Sequence, residues 1–319
     1  MCDLGLTLDA PMIQQGIERL YADLLRHGLR FRPHVWLSSE WFSPTGVPGI
    51  AIPFYLAHPR LMRLERDLML EVEGGRRRDF LRIMRHECGH AIQTAFRLNR
   101  RKRWHELFGR SSEKYPESYR PDPASREYVQ HLPMYYAQSH PDEDFAETFA
   151  VWLGSRSAWR RRYKGWPALD KLQYVDEVME DLRGESAPVR TRRRVDSVSQ
   201  IKTTLRDHYE LRMKYGPHGA PDIYDVDLRR LFVAERVKGA EPASRFLRRN
   251  RTLVRQIISR WTGQYQFTLD HVLEDMIRRC RELRLYAVGD EDDLRMQFAV
   301  LLAVQTMHSL FNRRDWINM

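Results

Sequence analysis

The chain has 319 residues, of which 42% are hydrophobic and 30% charged, with a formal net charge of +10 and a pI near 9.6. That length buries a sizeable core in one large or two modest domains, and no apolar run reaches the roughly eighteen residues of a transmembrane helix. The start, Met1-Cys2-Asp3-Leu4-Gly5-Leu6, lacks a basic and apolar secretory signal, and Cys2, Cys88 and Cys280 lack disulfide or metal-ligand spacing, so a reducing cytoplasm is expected.

Along the chain, Pro11 to Arg30 reads as a first helix ending near Gly28. Val35-Trp36-Leu37 reads as a strand, and Gly49 to Leu56 as another, because Ile50, Ile52, Phe54 and Leu56 alternate. Pro53 lacks an N–H, which favours an edge position. Such an edge either binds an extended peptide by strand addition or is simply the proline-capped border of a core strand. Ser43 to Gly49, with two prolines and two glycines, is turn chemistry. His58-Pro59 opens a helix expected to run to Gly74, and Asp79 opens another that continues to about Leu98.

That last helix carries His86-Glu87-Cys88-Gly89-His90. Helical positions four apart lie about 40° from eclipsed, so the two imidazoles project from one face and can share a zinc ion, with Glu87 beside them to take a proton from water. Leu81, Met84, Cys88, Ala91, Ala95 and Leu98 form an apolar stripe, which makes Cys88 a packing residue, and Gly89 would let another backbone come close. The bland reading is two unrelated histidines on a half-buried helix.

A hydrolytic zinc site needs a third protein ligand. The metzincin continuation fails, since Gln93 and Phe96 stand where Gly and His are required. The downstream segment His140-Pro141-Asp142-Glu143-Asp144-Phe145-Ala146-Glu147-Thr148-Phe149-Ala150 suits a helix capped by Ser139 or His140. Its face of Glu143, Ala146, Glu147 and Ala150 is small and acidic, and its opposite face of Phe145, Phe149, Trp152 and Leu153 is apolar. The macrodipole alone accounts for acids in the first turn but not for Glu147. His131 and His140 are alternative ligands; isolated histidines are more often hydrogen-bonded surface groups.

HECGH followed by HPDEDFAETFAVWL resembles the bacterial zinc-binding metallopeptidases of gluzincin type, most strongly over Tyr119 to Leu153 and the HECGH helix. The Glu-x-Phe-Ala-Glu core is similar to the third-ligand helix of lethal-factor-like and Pro-Pro endopeptidases. The resemblance implies zinc on His86, His90 and Glu143, Glu87 as general base, Glu147 orienting a ligand imidazole, and Tyr136 stabilising the oxyanion. It implies a zincin-like catalytic domain acting on peptide or protein substrates. The thermolysin-type Asn-Glu-x-x-Ser-Asp pattern is absent.

The Tyr- and Pro-rich stretch from Asn99 to Pro133 reads as a lid or substrate-binding excursion. Gly184-Glu185-Ser186-Ala187-Pro188 and the arginines after it mark a boundary, which sets residues 1–188 as the catalytic domain and 196–319 as a helical C-terminal domain of supporting architecture. There Val254, Ile257, Ile258 and Trp261 form one expected apolar face, and Val272, Leu273, Met276 and Ile277 another. The expected fold class is therefore α+β, mostly helical, with a small edge-exposed sheet. The alternative function is a basic nucleic-acid-binding or protein-interaction module with an inactive zinc site. Arg76-Arg77-Arg78, Arg100-Arg101-Lys102-Arg103, Arg160-Arg161-Arg162 and Arg192-Arg193-Arg194 would supply phosphate contacts. Against it, basic residues near helix C-termini are explained by the helix dipole.

Overall fold

In the computed structural model, residues 1–116, 118–119, 121–155, 158–214, 224–235, 237, 239–311 and 317–318 are described. They fall into two compact units, one of residues 1–66, 72–205 and 317–319, the other of residues 67–71 and 206–316. Both are dominated by helices, with short strands between them, so the chain is α+β and mostly helical as its patterning implies.

The first unit is built around one buried helix. α1 (Pro11–Arg26), β1 (His34–Ser38), β2 (Gly49–Pro53) and α2 (Pro59–Met69) precede α3 (Arg77–Phe96), and α4 (Lys102–Phe108), β3 (Ser118–Tyr119), α5 (Pro141–Ser155), α6 (Ala158–Arg162) and α7 (Ala168–Asp181) follow it. α3 buries Phe80, Ile83, Met84, His86, Glu87, Cys88, Gly89, Ala91, Ile92, Gln93 and Ala95, which occupy nearly its whole circumference. A helix apolar or small on so many sides belongs in a centre, where neighbours cover every face. α1, β2 and α5 all pack on it. α1 adds an ionic tie, since the buried Asp23 takes Arg85 Nη2 at 2.6 Å and Nε at 3.2 Å. Burial would raise the Asp23 pKa, but the Arg85 hydrogen bonds outweigh it and hold it below its ordinary value.

α3 crosses α5 so closely that glycine is required. A Cβ on Gly89 would lie 2.7 Å from Ala146 Cα and 3.0 Å from Ala146 O. α5 meets that approach with its small and acidic face, for Ala146, Ala150 and Glu147 are fully buried. Its apolar face, Phe145, Phe149, Trp152 and Leu153, is buried as expected.

β1 and β2 pair in parallel, with Trp36 opposite Ala51. The strand expected to reach Leu56 stops at Pro53, and Phe54–Ala57 form a 3-10 turn instead. Proline cannot continue the ladder. All five β2 residues are buried, so the strand carries no exposed polar face, as is usual for parallel pairing. Trp36, Val47, Phe42 and Val195 cluster on Ala51. On the edge away from β1, Ala51 N–H donates to Phe42 O at 2.8 Å, so the chain itself occupies the place a strand-adding peptide would take there. α1 and α2 end earlier than their apolar spacing implies. Gly28 (φ 76°) follows α1, and Leu70 (φ 66°) follows α2, both left-handed.

The second unit holds α8 (Leu205–Lys214, from its second residue), α9 (Asp225–Leu231), β4 (Glu241–Pro242), α10 (Ala243–Thr262), α11 (Gln266–Glu282), β5 (Tyr286–Ala287) and α12 (Glu291–Phe311). Its core joins Phe246, Leu247 and Val254 to Leu269, Leu273, Met276, Phe298 and Leu302. α11 buries the expected Val272, Leu273, Met276 and Ile277. α10 follows expectation in part: Val254 and Ile258 are buried with Phe246, Leu247 and Asn250, while Ile257 and Trp261 are 41% and 82% exposed. The stripe that packs begins at Phe246, about two turns before Val254. Among the described residues no helix is long and apolar enough to cross a membrane.

Gly89→Ala should destabilise the protein although alanine is the better helix former by about 1 kcal/mol, because overpacking at a backbone contact costs about 1–3 kcal/mol. A lowered melting temperature and denaturant midpoint are expected; an unchanged or raised value would refute the tight crossing.

Candidate metal centre

The crossing at Gly89 sets two imidazoles of α3 against one carboxylate of α5. His86 Nε2 lies 3.0 Å from Glu143 Oε2, His90 Nε2 lies 3.1 Å from the same oxygen, and the two ring nitrogens are 3.2 Å apart. Donors about 2.0–2.1 Å from a tetrahedral zinc ion stand on the order of 3.3 Å from each other. The three atoms thus have nearly the mutual spacing of ligands around one cation, and His86, His90 and Glu143 form a group able to hold a metal ion.

The three donors strongly perturb one another's protonation. Burial would lower the His86 pKa, yet hydrogen bonds to Glu143 and Glu147 raise it well above its ordinary 6.5. His90 is raised in the same way, burial being outweighed by the Glu143 charge. Burial would raise Glu143, but the His90 and His86 contacts hold it well below its ordinary 4.5.

Two of the three donors, His86 and Glu143, are fixed from behind. His86 Nδ1–H donates to Glu147 Oε1 at 2.8 Å, and Leu132 N–H donates to Glu147 Oε2 at 2.7 Å. A metal-ligating histidine commonly gives its second N–H to a carboxylate in this manner. The remaining Glu143 oxygen, Oε1, accepts the Tyr115 hydroxyl at 2.9 Å. Tyr115 in turn stacks on His140, with ring centroids 3.8 Å apart and planes 13° from parallel.

His140 is therefore not a spare ligand. Its Nδ1 accepts Asp142 N–H at 3.1 Å, capping α5, and its Nε2–H donates to Glu113 O at 3.1 Å. His131 is equally committed, with Nε2–H on Arg82 O at 3.0 Å. Burial, its largest influence, lowers the His131 pKa. Gln93, which breaks the metzincin pattern, donates to Asp142 Oδ1 at 2.8 Å and so ties α3 to α5 a second time. Asp144, expected at a solvated helix start, is buried against Lys171 Nζ at 2.6 Å, with burial pushing its pKa up to about 7.

Glu87 and Tyr136 complete the surroundings. Glu87 is 7% exposed, and its Oε2 is buried with no hydrogen-bond partner among the described residues. Burial raises its pKa above the ordinary 4.5. The Tyr136 ring lies 5.6 Å from that of His86. It follows Met134 (φ 64°) and Tyr135 (φ 56°), two left-handed residues of a type that costs about 1–3 kcal/mol each, held by Tyr119 OH donating to Met134 O at 2.9 Å. Gln138 locks the same turn through both Asp122 N–H and Asp122 O. The Asn99-to-Pro133 excursion thus clamps the turn that carries Tyr136. It also contributes Tyr115, whose role no spacing could show, because nothing in sequence links it to a carboxylate 28 residues away.

His86, Glu87, His90, Tyr115, Tyr136 and Glu143 all line one cavity of about 800 Å³, whose far walls are Trp41 to Thr45 and Asn99, Arg100, His105, Ser111 and Ser112. That volume is within the range of small-molecule and peptide-side-chain sites.

Residues 64–178 match a family model described as "Putative zinc-binding metallo-peptidase". The matched stretch begins inside α2, ends inside α7 and contains every residue of the trio. No curated protein and no solved structure matches the chain.

Glu143→Ala should remove zinc, read as metal content after dialysis, whereas His131→Asn should keep it. Retained metal in the first protein, or loss in the second, would relocate the third ligand. Tyr115→Phe should weaken zinc affinity roughly tenfold by chelator competition, the lower bound for losing a group that orients a ligand.

Proposed function

We propose that this protein is a zinc-dependent peptidase of gluzincin type, with His86, His90 and Glu143 holding one ion. The observation that carries the reading is the meeting of those three donor atoms within 3.2 Å of one another beside a buried carboxylate with a vacant oxygen. The family match of residues 64–178 supports the substrate class, peptides or proteins.

Zinc, when bound there, supplies Lewis-acid chemistry, polarising a carbonyl and lowering the pKa of water towards about 7. Glu87 is the proton carrier. Its Oε2 has no competing partner among the described residues, and burial makes its carboxylate a stronger base than a solvated one. It accepts a proton from the attacking water at that oxygen and then delivers it to the leaving amide nitrogen. Tyr136 presents its phenol on the cavity wall next to His86, where a hydrogen bond to a developing oxyanion lowers the barrier. Glu147 holds the His86 ring so that Nε2 faces the cavity, and Tyr115 leaves Glu143 only Oε2 to share with the two imidazoles.

A zinc-holding module without activity is the weaker reading. A purely structural site is closed by a fourth protein ligand, whereas among the described residues this trio has none and opens on the cavity.

Glu87→Gln should keep one zinc per chain and abolish hydrolysis of a proteome-derived peptide library; lost metal would make Glu87 a structural residue, and a parent protein without cleavage would remove the peptidase assignment. Zinc affinity should also climb as pH rises through and beyond 6.5. Both imidazoles hold protons more tightly than an ordinary histidine, so protons must leave before an ion is bound. Calorimetry in buffers of different ionisation enthalpy measures that release, and a pH-independent affinity would contradict it.

A further inference from the structure

The basic clusters do not sit where the helix dipole would favour them. Arg76–Arg78 and Arg100–Arg103 lie at the N-terminal ends of α3 and α4, where positive charge is unfavourable, and only Arg160–Arg162 closes a helix C-terminally. Arg192-Arg193-Arg194 belongs to no helix at all. It lies on an extended stretch between α7 and the 3-10 turn Val198–Gln200.

That stretch is pinned in place by its backbone. Val189 N–H donates to Ala95 O at 3.1 Å, the His34 ring Nε2–H to Arg193 O at 2.9 Å, Trp36 Nε1–H to Val195 O at 2.8 Å, and Ser38 Oγ–H to Asp196 O at 2.6 Å. Laid beside the entry to β1, it closes a cleft of about 320 Å³ lined by Arg30, Arg32, His34, Arg190 and Arg192, with Glu185 its one acid. The tie of His34 to Arg193 O makes the ring a wall of the cleft.

Four guanidiniums share this concavity, and none forms an ion pair among the described residues. Arg85 and Arg251, by contrast, are spent on the carboxylates of Asp23 and Asp270. Two of the cleft arginines, Arg32 and Arg192, also share a neighbour in Tyr21. Arg32 lies 5.5 Å from the Tyr21 ring centroid, and both Arg32 and Arg192 act electrostatically on the Tyr21 hydroxyl. Arg190 is oriented by Nε–H on Ala187 O at 2.8 Å. Like charges held together by backbone hydrogen bonds repel, and a multivalent anion relieves that repulsion.

We propose that this cleft binds the phosphate backbone of a nucleic acid. Forked guanidinium donors match phosphate oxygens, and four of them exceed what one carboxylate can accept. The exposed Arg193 and Arg194 extend the charge beyond the cleft, as a polymer requires, and the nearby Phe31 is buried and offers no face for base stacking. Binding is therefore independent of base sequence. The site stands apart from the metal trio and does not depend on the peptidase reading.

Anisotropy of a fluorescein-labelled single-stranded oligonucleotide with the full-length protein tests this across a salt series. Affinity should fall steeply with salt, with a log–log slope of about −2 to −3 for three or four phosphates. Arg32→Gln with Arg192→Gln should weaken binding about tenfold and flatten the slope by roughly one. Arg161→Gln with Arg162→Gln, the same charge loss elsewhere, should cost less than about threefold. Arg30→Gln with Arg190→Gln carries the first expectation again, should the first pair melt early. Absent or salt-insensitive binding, or equal losses in the control pair, would overturn the proposal. So would displacement of the oligonucleotide by inorganic phosphate at matched phosphate concentration, which identifies a small-anion site, or equally tight binding of poly-glutamate, which identifies an acidic polypeptide.

Discussion

Everything chemical in this molecule depends on how closely two helices approach. α3 and α5 meet at a glycine and an alanine, and a single added Cβ at Gly89 would fall 2.7 Å from the opposite backbone. Only at that separation do side chains as short as histidine and glutamate reach a common point from both helices. The apolar face of α5, the buried Asp23–Arg85 pair and the Gln93–Asp142 hydrogen bond all press towards the same contact. Packing is here the means by which a coordination geometry is set.

Around that point the carboxylates of Glu143 and Glu147 have both oxygens engaged. Glu143 gives Oε2 to two imidazoles and Oε1 to Tyr115, and Glu147 gives one oxygen to His86 and the other to a backbone amide. His140 spends both nitrogens on the helix cap and the preceding loop. Such full use rigidifies a buried network, because a half-satisfied one would cost more than an apolar core. Among the described residues Glu87 Oε2 and Gln93 Oε1 are buried without a partner in residues that line the cavity, and of the two only the carboxylate can take up a proton near neutrality.

Much of this was legible in the sequence. The HECGH spacing put two imidazoles on one helical face, the alternation of small and acidic residues from Glu143 to Ala150 marked the face that meets them, and Gly89 announced a close contact. Other features were not legible because their causes are tertiary. Tyr115 reaches Glu143 only through a loop whose path is set by stacking on His140. β2 is shorter and more buried than its alternation implies, since Pro53 stops the ladder and the Trp36–Val47 cluster covers the second face. α10 turns inward a stripe that starts earlier, because Phe246 and Leu247 join Val254 and Ile258 in the second unit's core and Trp261 does not. The arginine run at 192–194, read from the sequence as part of a boundary, is an extended strap.

The separation of the donors along the chain has a temporal consequence. His90 and Glu143 are 53 residues apart, with the α4 region and the strained turn at Met134–Tyr135 between them. A growing polypeptide that has released only the HECGH helix offers an ion two imidazoles and nothing more. An ion held by the proposed trio would reach full affinity only after α5 has emerged and docked, so tight capture would certify that this half of the molecule has been assembled.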